Sequence, residues 1–201
     1  MIITSIQQQI KNAGRYSLYV DGEYAFSLSV DALLEAGVMK GQDLSQQELT
    51  AYKKLSQDDK VYSLALAYVA RRIRSEGELR DYFRRKKYEH ELSESLLKRL
   101  RQAGLVDDHE FARRWVENRR LLKGASTRRL VMELRQKHVS QEVIDAALDE
   151  DETDELQLLR DIVAKKRKQN RYQDDQKLIA YLARQGFSYE DSKKALQMSD
   201  D

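Results

Sequence analysis

Arginine is the residue type in this 201-residue chain best placed to do chemistry on a partner. Arg71, Arg72 and Arg74 form one cluster, and Arg80, Arg84, Arg85, Lys86 and Lys87 a second. Arg113, Arg114, Arg119, Arg120 and Lys123 follow, then Arg128, Arg129 and Arg135. Steps of three and four put such side chains on one face of a helix. A guanidinium offers a planar fork of donors that matches a phosphate or a carboxylate. Basic residues in a last helical turn also complement the helix dipole, so any one of them can belong to a solvated face. As groups they exceed that need, since residues 113–137 hold nine basic and two acidic side chains. The clusters therefore point to a polyanion or an acidic partner. The candidate contact residues are Arg71, Arg72, Arg74, Arg84, Arg85, Lys86, Arg113, Arg114, Arg119, Arg120, Lys123, Arg128 and Arg129. An opposite block at 145–155, seven acids and no base, reads as a solvated linker and cap or as a screen of phosphate charge.

Other chemistry finds little support. There is no GxxxxGK[ST] and no GxGxxG phosphate loop. His90, His109 and His138 lack ligand spacing, and without cysteine there are no disulfides or thiolate metal sites. The serines fall where helix caps are wanted, and Asp107-Asp108 suits a helix N-terminus better than an acid–base pair. Phe111 and Trp115, four apart, read as core ahead of a base-stacking platform. The expectation is a non-enzyme with no catalytic residues, no metal and no cofactor.

The elements that must hold the arginines repeat. Leu79, Phe83, Tyr88 and Leu97 recur as Leu130, Leu134, Val139 and Leu148, then as Leu178, Leu182, Phe187 and Leu196. Steps of +4, +5 and +9 are identical in all three copies, which begin 51 and 48 residues apart. Such a period marks a supersecondary unit copied and stacked. With no proline and 35% charged residues, the chain reads as mainly α, a tandem array of three stacked three-helix repeats. Serines 75, 126, 140 and 188 and the acids at 107 and 174 mark helix starts. Ahead of the array, alternation across residues 1–30 with Asp21-Gly22 predicts a β-hairpin, Ile2 to Gln8 adding a further strand that turns at Asn12-Ala13-Gly14. A helix capped by Asp31 and one from Ser45 to about Leu55 complete that region, and a long helix from Asp58 reaches about Arg74. The segments are 1–57, 58–104, 105–150 and 151–201. No apolar run approaches the ~18 residues of a membrane span, and no signal-peptide pattern is seen. A soluble cytoplasmic protein is expected.

The stretch from Arg99 to Val139 resembles the RecX family, regulators of the recombinase RecA. Its marks are Gly104-Leu105-Val106-Asp107-Asp108, Phe111-Ala112, Trp115-Val116, Lys123-Gly124, Glu133-Leu134 and Lys137. Arg74 to Tyr88 resembles the family's first-repeat motif. The resemblance covers about 58–197, and the N-terminal hairpin is similar to an extension found in part of the family. It implies a monomer that lodges in the groove of the RecA–DNA filament and opposes its extension and activities in recombination, DNA repair and SOS induction. Contact with single- or double-stranded DNA would be weaker alone, and no membrane is involved. The alternative is a stand-alone nucleic-acid-binding helical module that acts without RecA. One departure has a structural price: Lys87 and His138 stand where the family often has glycine before the apolar stop residue, and only Gly186 keeps it. A non-glycine residue in left-handed geometry costs about 1 kcal/mol, so those two helices are expected to end differently.

Overall fold

Alternation in the first thirty residues becomes a three-stranded antiparallel sheet in the computed structural model, which describes residues 1–197. Its strands are β1 (Ile3–Gln9), β2 (Asn12–Val20) and β3 (Glu23–Ser29), in the order β1-β2-β3. Asp21 and Gly22 both take positive φ, as a tight two-residue hairpin requires. The first turn lies at residues 10 and 11, earlier than expected, and Asn12-Ala13-Gly14 already belongs to β2. Ile3, Leu18, Phe26 and Leu28 form the sheet's buried face, closed by Val38, Leu44 and Leu49.

Helix α1 (Val30–Glu35) is capped by Ser29, whose hydroxyl accepts from the Ala32 amide, while Asp31 sits inside the first turn. The cap falls two residues earlier than expected because Ser29 is still the last residue of β3. A capping box of Ser45 and Glu48 opens α2 (Gln46–Val69), and these hydrogen bonds hold the Glu48 carboxyl below its ordinary value. Helix α2 runs unbroken past Leu55, with nothing between 55 and 58 to stop it. Its middle turns cover the edge of β3. Ser56 donates to the Ser27 carbonyl (2.7 Å), and Asp59 accepts from the Ser29 amide (2.9 Å) and hydroxyl (2.6 Å). Asp59 also pairs with Arg15 at 2.8 Å, side chains 3% and 11% exposed. Removing one member of such a buried pair costs ~3–5 kcal/mol. Since α2 ends at Val69, Arg71, Arg72 and Arg74 follow the helix and do not form its last turn.

The remaining helices are α3 (Glu76–Arg85), α4 (His90–Gln102), α5 (Asp108–Lys123), α6 (Thr127–Gln136), α7 (Gln141–Asp149), α8 (Glu155–Arg167), α9 (Asp175–Arg184) and α10 (Tyr189–Gln197), with a 3-10 turn at Asn170–Tyr172. The fold is mainly α behind a small N-terminal sheet. Spatially the chain forms two compact units. One holds Met1–Arg72 and Glu89–Leu100; the other holds Ile73–Tyr88 and the chain from Arg101 onward. Helix α2 and α4 up to Leu100 thus belong to the first unit and α3 to the second.

In the second unit, α6 and α9 bury the repeated pairs Leu130/Leu134 and Leu178/Leu182, as α3 buries Leu79/Phe83. Every middle helix then closes alike. The amides of Tyr88, Val139 and Phe187 reach back to the carbonyls of Phe83, Leu134 and Leu182, each at 3.2 Å. This needs left-handed backbone at the preceding residue. Lys87 (φ 58°) and His138 (φ 57°) adopt it just as Gly186 does. The expectation that these helices end differently is therefore wrong, because the closing bonds and the packing of the stop residues, Val139 buried and Tyr88 half-buried, outweigh a strain of about 1 kcal/mol.

At the start of α3 and of α6 the next repeat takes part in satisfying the free amides, whereas α9 is capped by its own Asp174. Ser75 caps α3 and donates its hydroxyl to the Lys137 carbonyl at the end of α6 (2.7 Å). The Ser126 amide at the start of α6 donates to the Gln185 carbonyl at the end of α9 (3.0 Å). One residue on, Glu76 N–H donates to Asp108 (2.8 Å) and Thr127 N–H to Glu155 (2.9 Å). Asp108 and Glu155 are the first residues of α5 and α8. Glycine allows the close approach, on opposite sides of the two joints. A Cβ on Gly77 of α3 would stand 2.3 Å from His138 Cβ; one on Gly186 would stand 2.3 Å from Ser126 Oγ.

Gly77→Ala, ordinarily favourable inside a helix, is therefore expected to destabilise the protein by about 2 kcal/mol through overcrowding. In a His138→Gly background that cost should fall by about 1 kcal/mol, since only the Lys137 carbonyl still crowds the methyl. A double-mutant cycle by denaturant unfolding measures it; an unchanged cost in both backgrounds would show that the two residues do not share the joint.

Candidate polyanion and partner interface

The arginines fall into sets with different surroundings. The most enclosed is Arg120 in the last turn of α5, whose side chain is 9% exposed. It pairs with Asp151 (2.8 Å) and Glu155, and donates to the Ala125 carbonyl (2.7 Å) and the Thr127 hydroxyl (2.8 Å). It joins the end of α5 to the start of α8. Part of the acidic block is explained with it, because Asp151 and Glu155 serve Arg120 and Asp154 caps α8.

A second cluster gathers on Glu133 of α6. Arg119 reaches it at 2.7 Å, Arg129 at 2.9 Å and the Trp115 indole N–H at 3.0 Å. Burial works against the Glu133 charge, but the Arg129 hydrogen bond, the Arg119 charge and the indole together hold its carboxyl below the ordinary value. Arg129 also donates to Gln185 Oε1 (3.1 Å) and to the Arg184 carbonyl, across the joint with α9. Trp115 stacks on Phe111, and the Arg119 guanidinium lies over the Trp115 ring, 4.5 Å from its centroid. Its half-buried ring is thus part of the packing around α5.

Asp107 and Asp108 act at helix starts, as their position suggests. Asp107 caps α5 through the amides of His109 and Glu110. Asp108 holds the start of α3, and burial raises its carboxyl above the ordinary value despite the Glu76 hydrogen bond.

The other candidates reach solvent. Arg113 and Arg114 are exposed and share Glu110, at 2.8 and 2.5 Å. The two hydrogen bonds lower the Glu110 carboxyl. Arg84 is exposed and pairs with Asp81 one turn earlier. Arg74 is half-buried, and Arg71 and Arg72 are exposed in the first unit. Arg85, Lys86, Lys123 and Arg128 are exposed and carry no ion pair among the described residues. Arg85 and Lys86 sit with Lys87 at the end of α3. On α6, Arg128, Met132 and Arg135 stand four and three residues apart and are all exposed, giving one basic face with an apolar centre. Sequence reading did not mark Leu121 and Leu122, consecutive at the end of α5 and 81% and 70% exposed.

Among the described residues no group of three or more His, Cys, Asp or Glu could hold a metal ion, and no helix is long and apolar enough to cross a membrane.

Four family models match the chain in order. They are the regulatory protein RecX N-terminal domain (residues 1–45) and the first (62–100), second (107–148) and third (152–196) RecX three-helix domains. A regulatory protein RecX of Listeria monocytogenes is 32% identical over 97% of this chain and 74% of its own length. Another, from Halalkalibacterium halodurans, is 34% identical over 73% of this chain, and that match spans 57% of its own length. A crystal structure of regulatory protein RecX superposes with a TM-score of 0.76 at 28% identity, covering 98% of both chains.

Reversing charge at Arg120 is expected to cost ~3 kcal/mol or more of stability, because it leaves Asp151 and Glu155 opposed by like charge in an enclosed site. Reversing Arg85, Lys86 and Arg128 together should change stability by less than about 1 kcal/mol. Thermal and denaturant unfolding of both variants checks this; equal losses would show that the exposed set is also structural.

Proposed function

We propose, because this chain belongs to the RecX family of regulatory proteins, that it regulates RecA by binding the RecA–DNA filament in its groove and inhibiting or disassembling it. The observation that carries this reading is the run of four family domains along the chain in family order. A regulator of that kind acts by occupancy and needs no chemistry of its own, in keeping with a surface whose conspicuous side chains are arginines. It would act as a monomer in the cytoplasm and modulate recombination, DNA repair and SOS induction.

The contacts fall to the solvent-reaching set, Arg71, Arg72, Arg84, Arg85, Lys86, Arg113, Arg114, Lys123 and Arg128, with Arg135 and Lys87 beside them. Arg119, Arg120 and Arg129 act mainly by holding the fold, and Arg74 is half-buried. Arg128 and Arg135 on one face of α6 can follow a phosphate backbone. That face also supports the second reading, a nucleic-acid-binding module that works without RecA.

Titration of the protein into RecA's single-strand-dependent ATPase and strand-exchange reactions separates the two. Both activities should fall at stoichiometric micromolar protein, and Arg85/Lys86/Arg128 charge reversal should weaken the effect about tenfold. No change with the natural chain would refute the filament reading. Tight duplex binding that drops steeply with salt, together with no effect on RecA, would favour the second.

A further inference from the structure

The end of α5 carries two leucines that the core does not use. Helix α5 buries Phe111, Ala112 and Val116. Leu122 continues the Phe111–Trp115 stripe past the point where the core ends, and Leu121 points off that stripe among polar residues. Both are largely exposed. Adjacent large apolar side chains in this state, between open grooves, mark a contact surface.

The surroundings say what kind of contact. On one side Leu121 and Leu122 border a groove of about 270 Å³ with Leu158, Ile162 and Tyr181 in its lining. Beside the already paired Arg120, Lys123, Lys165 and Lys166 supply its charge against a single acid, Asp161. Lys123 and Lys165 have no ion pair among the described residues, and Lys166 lies 4.6 Å from the centroid of the Tyr181 ring. On the other side Leu121 borders a groove of about 680 Å³ where Glu117, Glu150 and Glu152 stand. Arg113 and Arg120 also reach that groove, but each is already engaged by carboxylates.

We propose that the Leu121–Leu122 ridge docks an amphipathic helix of a partner protein, with acids on the flank facing Lys123 and Lys165 and bases on the flank facing Glu117 and Glu150. Charge divides this choice from the others. A nucleic acid or an anionic membrane presents one sign throughout and would meet Glu117, Glu150 and Glu152 beside the leucines. A helix can place opposite signs on its two flanks, with apolar residues at steps of three and four between them. This surface is separate from the basic face of α6 and does not require the partner to be RecA.

The test uses the full chain and a labelled helical peptide of 18 residues, leucine along one face with glutamates on one flank and lysines on the other. The peptide should bind, and Leu121→Gln/Leu122→Gln should weaken it about tenfold with an unchanged unfolding temperature. Lys123→Glu/Lys165→Glu should weaken it similarly. Against that charge-reversed variant, a peptide with lysines on both flanks should bind better than the original. The leucine variant should bind a bare single-stranded oligonucleotide as the natural chain does. Failure of the peptide to bind, or binding indifferent to the leucine variant, overturns the proposal. So does a leucine variant that instead loses binding to the oligonucleotide or to phosphatidylglycerol vesicles. The filament reading stands or falls separately, on the RecA reactions.

Discussion

The first amides of a helix have no partner inside the helix, and in the second unit that need is what ties one repeat to the next. Helices α3 and α6 are short, and each begins with a buried serine. Ser75 engages the last turn of α6, and Ser126 the last turn of α9. In both joints a carboxylate from the first residue of the following long helix takes the next amide. The partial positive charge of one middle helix thus faces the partial negative charge of the next. Ten-residue helices are marginal alone, so this coupling does much to decide whether they persist.

The joints also account for residues that look interchangeable in sequence. The left-handed position ending a middle helix is His138 in one joint and Gly186 in the other. Where the side chain is kept, Gly77 on the facing helix gives the room; where it is absent, Ser126 and Arg129 fill the space. His138 Nε2 then lies 3.2 Å from Asp81. Arg129 closes the second joint through Gln185 and the Arg184 carbonyl. An arginine-rich stretch thereby supplies struts as well as surface.

That division marks how much was legible. The caps and the repeated apolar positions were, because both depend on neighbours within one or two helical turns. Asp107, Ser126 and Ser140 start helices where their spacing said they would. The role of an arginine was not, because it depends on an acid far along the chain: Arg120 on Asp151 and Glu155, Arg119 on Glu133, Arg15 on Asp59. The continuous α2 was missed for the same reason, its middle turns being held by the edge of β3. Leu121 and Leu122 could have been flagged from helical phase, but their exposure depends on where the core stops. The basic residues at the end of α3 and on α6 and the leucine pair of α5 stay at the surface.

Native-state hydrogen exchange at the Ser126 amide tests the coupling most directly. A residue at that position ordinarily exchanges fast, since its N–H lies outside the helix it caps. Here the bond to Gln185 should make it exchange as slowly as the amides of Leu130 and Leu134, with the same denaturant dependence, through unfolding of the whole unit. Fast exchange at Ser126, insensitive to denaturant while Leu130 and Leu134 stay protected, would contradict the account and show that the middle helices stand without their joints.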